Sequence, residues 1–496
     1  MTPAAGLAPL PAIAPEDAAG ADVALPLVVD LDGTLIRTDL LHESMIKLIA
    51  QRPGTLLSMF GWLPRGKAFF KQQSALLVQP DASTLPYAPA VVEWIRNERA
   101  RGRQIVLCTA SDQRLADSVA RATGLFDQVL ASNGVINLSA ENKAKVLVDR
   151  FGQHGFDYAG NSRADLPVWA VCRRAIVVGP NAPLRRAVAK IADVERDFAP
   201  PLAGVKAWIA ELRIHHWSKN LLVFLPLLGA HQLGNLPALL AVGLAFLAFC
   251  LCASSVYVVN DLLDLESDRR HARKRHRPFA AGTLSIPQGV CVGALLIVAA
   301  FAVAWFFVNP GFTGWLAIYF VTTVSYSLWL KRKMLVDSLV LAGLYTLRLL
   351  AGTAAAGIDN SFWLLTFSMF LFMSLALVKR YSELKEIFRQ GGARTPGRDY
   401  LVGDLPLVEM LGITSGFCSV MVMALYINGD TIARLYPHQQ MVWLTVPVLL
   451  YWVSRIWLKA HRGELEDDPL VFALSDRLSL ITILLFFTAL LIAAWR

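Results

Sequence analysis

Hydrophobic and polar positions follow two different rhythms along the 496 residues. In the first two fifths, short apolar runs end in small or acidic residues. Leu25–Val29 ends in Asp30-Leu-Asp32-Gly33, Gln104–Cys108 ends in Thr109-Ala-Ser111, and Ala175–Val178 ends in Gly179. Runs of this length, without a polar face, predict buried strands of an open α/β sheet. Between the first two, helical periodicity over about 40–85 (Met45, Ile46, Ile49, Leu56, Leu57) predicts a cap. From Trp217 onward the apolar runs lengthen and the polar breaks shrink. They predict membrane spans near 219–231, 237–259, 286–308, 311–330, 335–357, 362–378, 405–427, 441–457 and 478–495, most of them close to the roughly 20 residues a bilayer core requires. The expected organisation is a leader over 1–24, an α/β unit over 25–198, a linker over 199–212 around Pro200 and Pro201, and an all-α transmembrane bundle of about nine helices over 213–496.

Composition agrees with a chain made of both kinds of domain: 55% of residues are hydrophobic and only 17% charged. The net charge of +9 does not indicate nucleic acid, because the membrane half keeps its cations in short loops. Those at 261–285, 331–334, 379–400 and 455–477 hold nearly all the Lys and Arg there, and the alternate loops near His231, Asn309, Asp359 and Asn428 hold almost none. With nine spans, the positive-inside rule puts the basic loops and the N-terminal domain in the cytoplasm, so both candidate sites face one compartment of an inner, plasma membrane. The six cysteines suggest no disulfide framework and are expected to be buried, reduced thiols. Residues Met1–Ala24, rich in Ala and Pro and without a basic start, are expected to be a disordered leader rather than a signal peptide.

The most polar stretch of the membrane half is Asn260-Asp261-Leu-Leu-Asp264-Leu-Glu-Ser-Asp268, followed by eight cations or histidines up to Arg277. Continued helix would put Asp261, Asp264 and Asp268 on one face, where the carboxylates repel one another unless a cation lies on them. Carboxylates with an amide oxygen suit Mg2+, whose shell is completed by water and phosphate. The following cations would bind the same phosphates; the alternative is a solvated loop whose charges only fix topology. The stretch resembles the NDxxDxxxD signature of UbiA-type intramembrane prenyltransferases. Arg213-Ile-His-His-Trp217-Ser-Lys219-Asn220, Ser255-Val-Tyr257 and Lys274-Arg275-His-Arg277-Pro278 resemble the branch containing polyprenyl-phosphate phosphoribosyltransferases. That resemblance, over about Lys206 to Arg496, implies Mg2+ held by Asn260, Asp261, Asp264 and Asp268 against a diphosphate, with Asp261 and Asp264 catalytic.

Asp30-Leu-Asp32-Gly33-Thr34 resembles the first motif of haloacid dehalogenase-type phosphatases, and the other motifs follow in order. The resemblance implies Asp30 as the nucleophile, Asp32 as general acid and base, Thr109 on a phosphoryl oxygen, and Lys143, favoured over Lys145, balancing phosphate charge. Gly160-Asn161-Ser-Arg-Ala-Asp165 resembles the acidic fourth motif, with Asn161 where many members have an acid. Mg2+ would then rest on Asp30, the Asp32 carbonyl and Asp165.

Further candidates come from charge placed in or beside the membrane. Arg348, well inside a span, is expected to meet a phosphate or a carboxylate, or to form a structural ion pair. Lys219, Asn220, Arg277, Tyr326 and Lys331 are candidate substrate contacts at the polar end. Where ring-prenylating UbiA enzymes carry a second aspartate cluster, this chain reads Lys379-Arg380-Tyr-Ser-Glu383, which suits another phosphate better than a second metal. These residues favour transfer of 5-phosphoribose from phosphoribosyl diphosphate to a polyprenyl phosphate, with the fused domain hydrolysing a phosphate. The alternatives are transfer of a prenyl group to a quinone or haem precursor and a non-catalytic lipid-binding scaffold.

Overall fold

The computed structural model describes residues 25–52, 54–133, 136–179, 181–199, 204–395, 397–429, 432, 435–465 and 469–495. The expected leader at 1–24, and residues 200–203 of the expected linker, lie outside them. The chain divides into two compact units, one of residues up to Met45 with Thr55–Pro201, the other of Ile46–Gly54 with Leu202–Arg496.

The first unit is built on a six-stranded parallel sheet, β1 Leu27–Val29, β2 Ile105–Asp112, β3 Gln128–Ser132, β4 Asp157–Gly160, β5 Arg174–Val178 and β6 Asp193–Phe198, in the order β3-β2-β1-β4-β5-β6. The short apolar runs are explained by two covered faces. Leu27 and Val29 enter one core with Ile105 and Leu107, while Val28 enters the other with Val106 and Cys108. The order reverses at β1, so the carboxyl ends of β1, β2 and β4 surround the crevice where such sheets place their chemistry. The helical cap is Leu40–Gln51, Thr55–Trp62 and Lys67–Leu77, all inserted between β1 and β2. One strand escapes the sequence pattern. After the helix Ala182–Val188 the chain was expected to run into the linker, but Asp193–Phe198 adds β6 at the sheet edge. Its Asp193, Glu195, Arg196 and Asp197 read as loop, and charge is how a lone edge strand avoids further pairing.

In the second unit, seven helices among the described residues are long and apolar enough to cross a membrane: Leu236–Leu263, Ile286–Val308, Val336–Ala356, Phe362–Arg389, Val402–Ile427, Gln439–Arg462 and Arg477–Ala494. The chain is an integral membrane protein. The span expected at 311–330 is the helix Pro310–Leu328, long enough but diluted by Gly, Thr, Ser and Tyr. The span expected at 219–231 is not an α-helix of span length. It is a 3-10 helix, Ile214–Phe224, followed by a short α-helix, Leu225–Gly229.

The two pieces together are nevertheless long enough for a crossing. A 3-10 helix rises about 2.0 Å per residue against about 1.5 Å for an α-helix, so the two pieces extend about 30 Å, the thickness of a hydrocarbon core. They run antiparallel to Leu236–Leu263, because Trp217 Nε1 donates to Ser254 Oγ at 3.1 Å and Asn220 Nδ2 to Cys250 Sγ at 3.3 Å. Arg213 therefore lies level with Asp261, at what is here called the polar end of the bundle. Loops of like parity are tied together: Lys331 to Asp264 and Arg389 to the Arg462 carbonyl at the polar end, Asn309 to the Ala354 carbonyl at the other. Trp305, Phe306 and Phe307 are exposed at that other end, as expected of an interfacial aromatic belt. The six cysteines are free, and four are buried as expected, but Cys291 is exposed and Cys418 half-buried. Both stand on transmembrane helices, where exposure means contact with lipid.

Candidate functional sites

Asp30 and Asp32 follow β1, Thr109 lies in β2, and Asp165 follows β4 in the turn Ser162–Asp165. Lys143, from the helix Ala140–Phe151, reaches the same crevice although only 4% exposed. Its ammonium donates to Asp30 Oδ1 at 2.7 Å and to the Tyr158 hydroxyl at 2.9 Å, and lies 3.7 Å from Asp165 Oδ1. Between two carboxylates it is held protonated, with its pKa raised although burial opposes this. Lys145 has no contact with this group among those described. Asp165 accepts from Tyr158 Oη on one oxygen, and from the Asn161 and Ser162 amides and Ser162 Oγ on the other. Its carboxylate thus organises the fourth-motif turn and presents Lys143. The Asn161 side chain lies on Gly33, whose φ of +75° and lack of a Cβ leave room for it.

The two acids after β1 are held differently. Asp32 accepts from Ser111 Oγ at 2.6 Å and from the Leu40 amide, the first residue of the cap, at 2.8 Å. Burial pushes it up to about 7, with the charges of Asp39 and Asp30 adding to the shift. Burial also pushes Asp30 up, to about 6, against the pull of Lys143. A carboxylate beside a buried ammonium, with a second carboxyl able to carry a proton, has the parts for attack on a phosphoryl group and for protonation of its leaving group. Thr109 Oγ1 accepts from the Ser111 amide at 3.0 Å, which aims the hydroxyl at the strand end. Ser111 and Tyr158 are contributors that motif spacing alone does not single out.

At the polar end of the membrane unit, Asp261 lies in the last turn of Leu236–Leu263, and Asp264 breaks that helix before Leu265–Arg270 resumes. Asp261 and Asp268 are each about 2% exposed. Arg213 donates to both oxygens of Asp261, at 2.5 and 2.8 Å. Arg277 bridges Asp261 at 3.0 Å and Asp268 at 2.6 Å, while Lys331 lies 3.5 Å from the more open Asp264. Asn260 stands half-buried beside them. Among the described residues, no three acidic, histidine or cysteine side chains are gathered on a common point as a finished metal cage. The donors present are nevertheless all oxygen, the set a hard cation takes when water and phosphate complete its shell. Burial raises the pKa of Asp268 despite Arg277. Sequence spacing did not single out Glu211, which is 1% exposed, lies against the Asp261 carboxylate and, among the described residues, receives no donor on either oxygen. Burial, and next the charge of Asp261, push it up to about 8.

The remaining candidates separate into three places. Arg380 is fully buried, with Nε 2.6 Å from Asp337 Oδ2, an ion pair to Glu383 and a 3.5 Å contact to the Tyr326 hydroxyl. Arg398 and Tyr400 also converge on Asp337, at 3.2 and 2.6 Å. The guanidinium of Arg380 is thus engaged by carboxylates, and Lys379, half-buried on the next position, lies in the same helix turn. Arg348 has no carboxylate partner among the described residues. It donates to Asn220 Oδ1, the Leu344 carbonyl and Tyr319 Oη, and lies over the rings of Phe249, Tyr319 and Tyr345. Lys219 is half-buried next to Asn220 on the 3-10 segment.

Comparison with known proteins agrees with this division. Residues 220–481 match the UbiA prenyltransferase family and residues 27–169 the haloacid dehalogenase-like hydrolases. The chain is 37% identical over 463 residues to the uncharacterized protein y4nM of Sinorhizobium fredii, covering 92% of this chain and 89% of that one. It is 35% identical over 295 residues to nodulation protein NoeC of Azorhizobium caulinodans, covering 56% of this chain and 93% of the relative. Over 283 residues it is 31% identical to decaprenyl-phosphate phosphoribosyltransferase of Mycobacterium tuberculosis, covering 56% and 91%. A buried aspartate cluster at one end of a transmembrane bundle, with a family match across more than half the chain, makes this protein a member of the UbiA prenyltransferase family that carries an N-terminal haloacid dehalogenase-like domain.

Proposed function

We propose that the membrane domain transfers a 5-phosphoribosyl group from phosphoribosyl diphosphate to a polyprenyl phosphate, and that the N-terminal domain then hydrolyses the 5-phosphate of the lipid-linked product. The observation that carries the reading is the charge of the polar end. Arg213, Arg277 and Lys331 stand on the aspartates, and the position of a second aspartate cluster is taken by Lys379-Arg380-Tyr-Ser-Glu383. The likeness to a decaprenyl-phosphate phosphoribosyltransferase supports the same donor and acceptor.

In this reading Asn260, Asp261, Asp264 and Asp268 hold Mg2+, which when bound neutralises the leaving diphosphate. Arg213, Arg277 and Lys331 pass from carboxylate to phosphate oxygens as the substrate arrives, and Lys219 contacts an acceptor phosphate at the mouth. Arg380, tied to Asp337 and Glu383, holds the helix ends that carry Lys379 and Tyr326 rather than reaching out itself. Arg348 and Asn220 lock four segments of the bundle around the space for the polyprenyl chain. The polar end, the N-terminal domain and both sites are cytoplasmic. The phosphatase chemistry runs from Asp30 through an aspartyl phosphate, with Asp32 protonating the leaving alkoxide and later deprotonating water. Asp165 positions Lys143 on the phosphate side of the pocket and, with Asp30 and the Asp32 carbonyl, would hold Mg2+.

The test uses full-length protein in liposomes with radiolabelled phosphoribosyl diphosphate, Mg2+ and polyprenyl phosphate. Label enters the lipid phase with wild type, is lost with Asp261→Asn, and with Asp30→Asn enters but keeps its 5-phosphate. Absence of lipid label overturns the donor assignment, and a prenyl diphosphate with an aromatic acceptor is then the donor pair to try. Lipid label whose 5-phosphate is equally stable in wild type and Asp30→Asn overturns only the coupling of the two domains.

A further inference from the structure

Three buried carboxylates gather at the polar end, but only two guanidinium groups answer them. Asp261 and Asp268 are taken by Arg213 and Arg277. The third is Glu211, the last residue of the short helix Val205–Glu211, which lies beside Asp261 and feels the charges of Arg213 and Arg277 without a hydrogen bond to either. Lys274 reaches only the far side of the cluster, 4.0 Å from Asp268 Oδ1, and is half exposed. The group thus has one carboxyl more than its guanidinium groups answer, and that one is shut off from water. A buried carboxyl facing a carboxylate keeps a proton unless a cation lies between the two.

We propose that Glu211 is a further ligand of the divalent cation in this site, sharing it with Asp261. The proposal rests on the reading that the aspartate cluster holds a cation, and adds to it a residue from outside the aspartate motif, contributed by the segment that precedes the first crossing. The coordination chemistry is plain. Glu211 offers oxygens with no competing guanidinium or ammonium donor, so a hard cation arriving with a diphosphate displaces only a proton there and breaks no ion pair. On Asp261, by contrast, the cation has to displace Arg213, whose guanidinium is then released toward the phosphate. Glu211 therefore gives the cation its first hold.

The experiment measures Mn2+ binding alone, by electron paramagnetic resonance on the detergent-solubilised full chain. An Asp30→Asn background is used throughout to weaken the N-terminal site. Glu211→Gln is expected to weaken Mn2+ at the membrane site at least about tenfold, with thermal unfolding showing that the fold is retained. Asp261→Asn is expected to abolish binding there. Gln keeps the shape of Glu211 and can still donate to Asp261, so affinity unchanged or tightened in Glu211→Gln, with binding lost in Asp261→Asn, overturns the role of Glu211 and leaves the aspartate site standing. Binding indifferent to both substitutions overturns the cation reading itself. Should Glu211→Gln not fold, Glu211→Asp, which retracts the carboxylate by one methylene, carries the same comparison.

Discussion

In the proposed phosphatase reaction, Asp30 and Asp32 are neighbouring residues of one type that would divide the work. Asp30 must be ionised to attack, and Lys143 opposes the burial that would keep it protonated. Asp32 must be protonated when the leaving group departs, and burial with the charges of Asp39 and Asp30 keeps it so up to about 7. Phosphoenzyme formation by the full-length protein should therefore rise as the pH climbs toward about 6 and fall again above about 7. A cation on Asp30 moves the acid limb lower and leaves the alkaline limb in place. Asp32→Asn should remove the alkaline limb and reduce turnover about 10²–10⁴-fold, read as phosphate release across pH. A rate that stays flat from pH 6 to 8.5 in wild type would exclude Asp32 as the acid. The motif residues were legible because their spacing follows strand ends, which sequence displays. Tyr158 and Ser111 were not, since nothing local tells that one positions Lys143 and Asp165 and the other Asp32.

At the scale of elements, the node on Asp337 joins the start of Val336–Ala356, the end of Phe362–Arg389 and the loop that follows it. Asp337 is fully buried and receives Arg380, Arg398 and Tyr400. Removing one partner of such a group leaves buried charge without compensation, so Asp337→Asn should destabilise by about 3–5 kcal/mol. In detergent this appears as a lowered midpoint of thermal unfolding, together with faster proteolysis between 389 and 402. An unchanged midpoint would mean that the node is dispensable. Apolar periodicity marked the long helices well, because lipid-facing and buried positions alike are apolar. It overstated the α-helical character of 219–231, where the determinant is not hydrophobicity but the partners of Trp217 and Asn220 on the next helix. It missed β6 for the opposite reason, because an exposed charged edge strand carries no apolar signal at all.

For the whole molecule, the paired loops predict sidedness that can be measured directly. In inverted inner-membrane vesicles a cysteine at Lys333 should react with an impermeant maleimide, whereas one at Asp359 should react only in spheroplasts with the outside exposed. The background for both is a variant lacking the six native cysteines. Reaction of both from the same side would break the alternation of the loops. The 3-10 segment has a further consequence, for biogenesis. Residues 215–220 read His-His-Trp-Ser-Lys-Asn, and a lysine alone costs about 2.5–3.5 kcal/mol at the middle of a span. Such a segment does not leave the translocon for lipid unaided. The first partners its indole and amide NH2 can find are Ser254 and Cys250, which emerge from the ribosome some thirty residues later. The first two crossings should thus integrate together as a hairpin: nascent chains ending near residue 235 stay extractable by carbonate, and those extended past Leu263 become resistant.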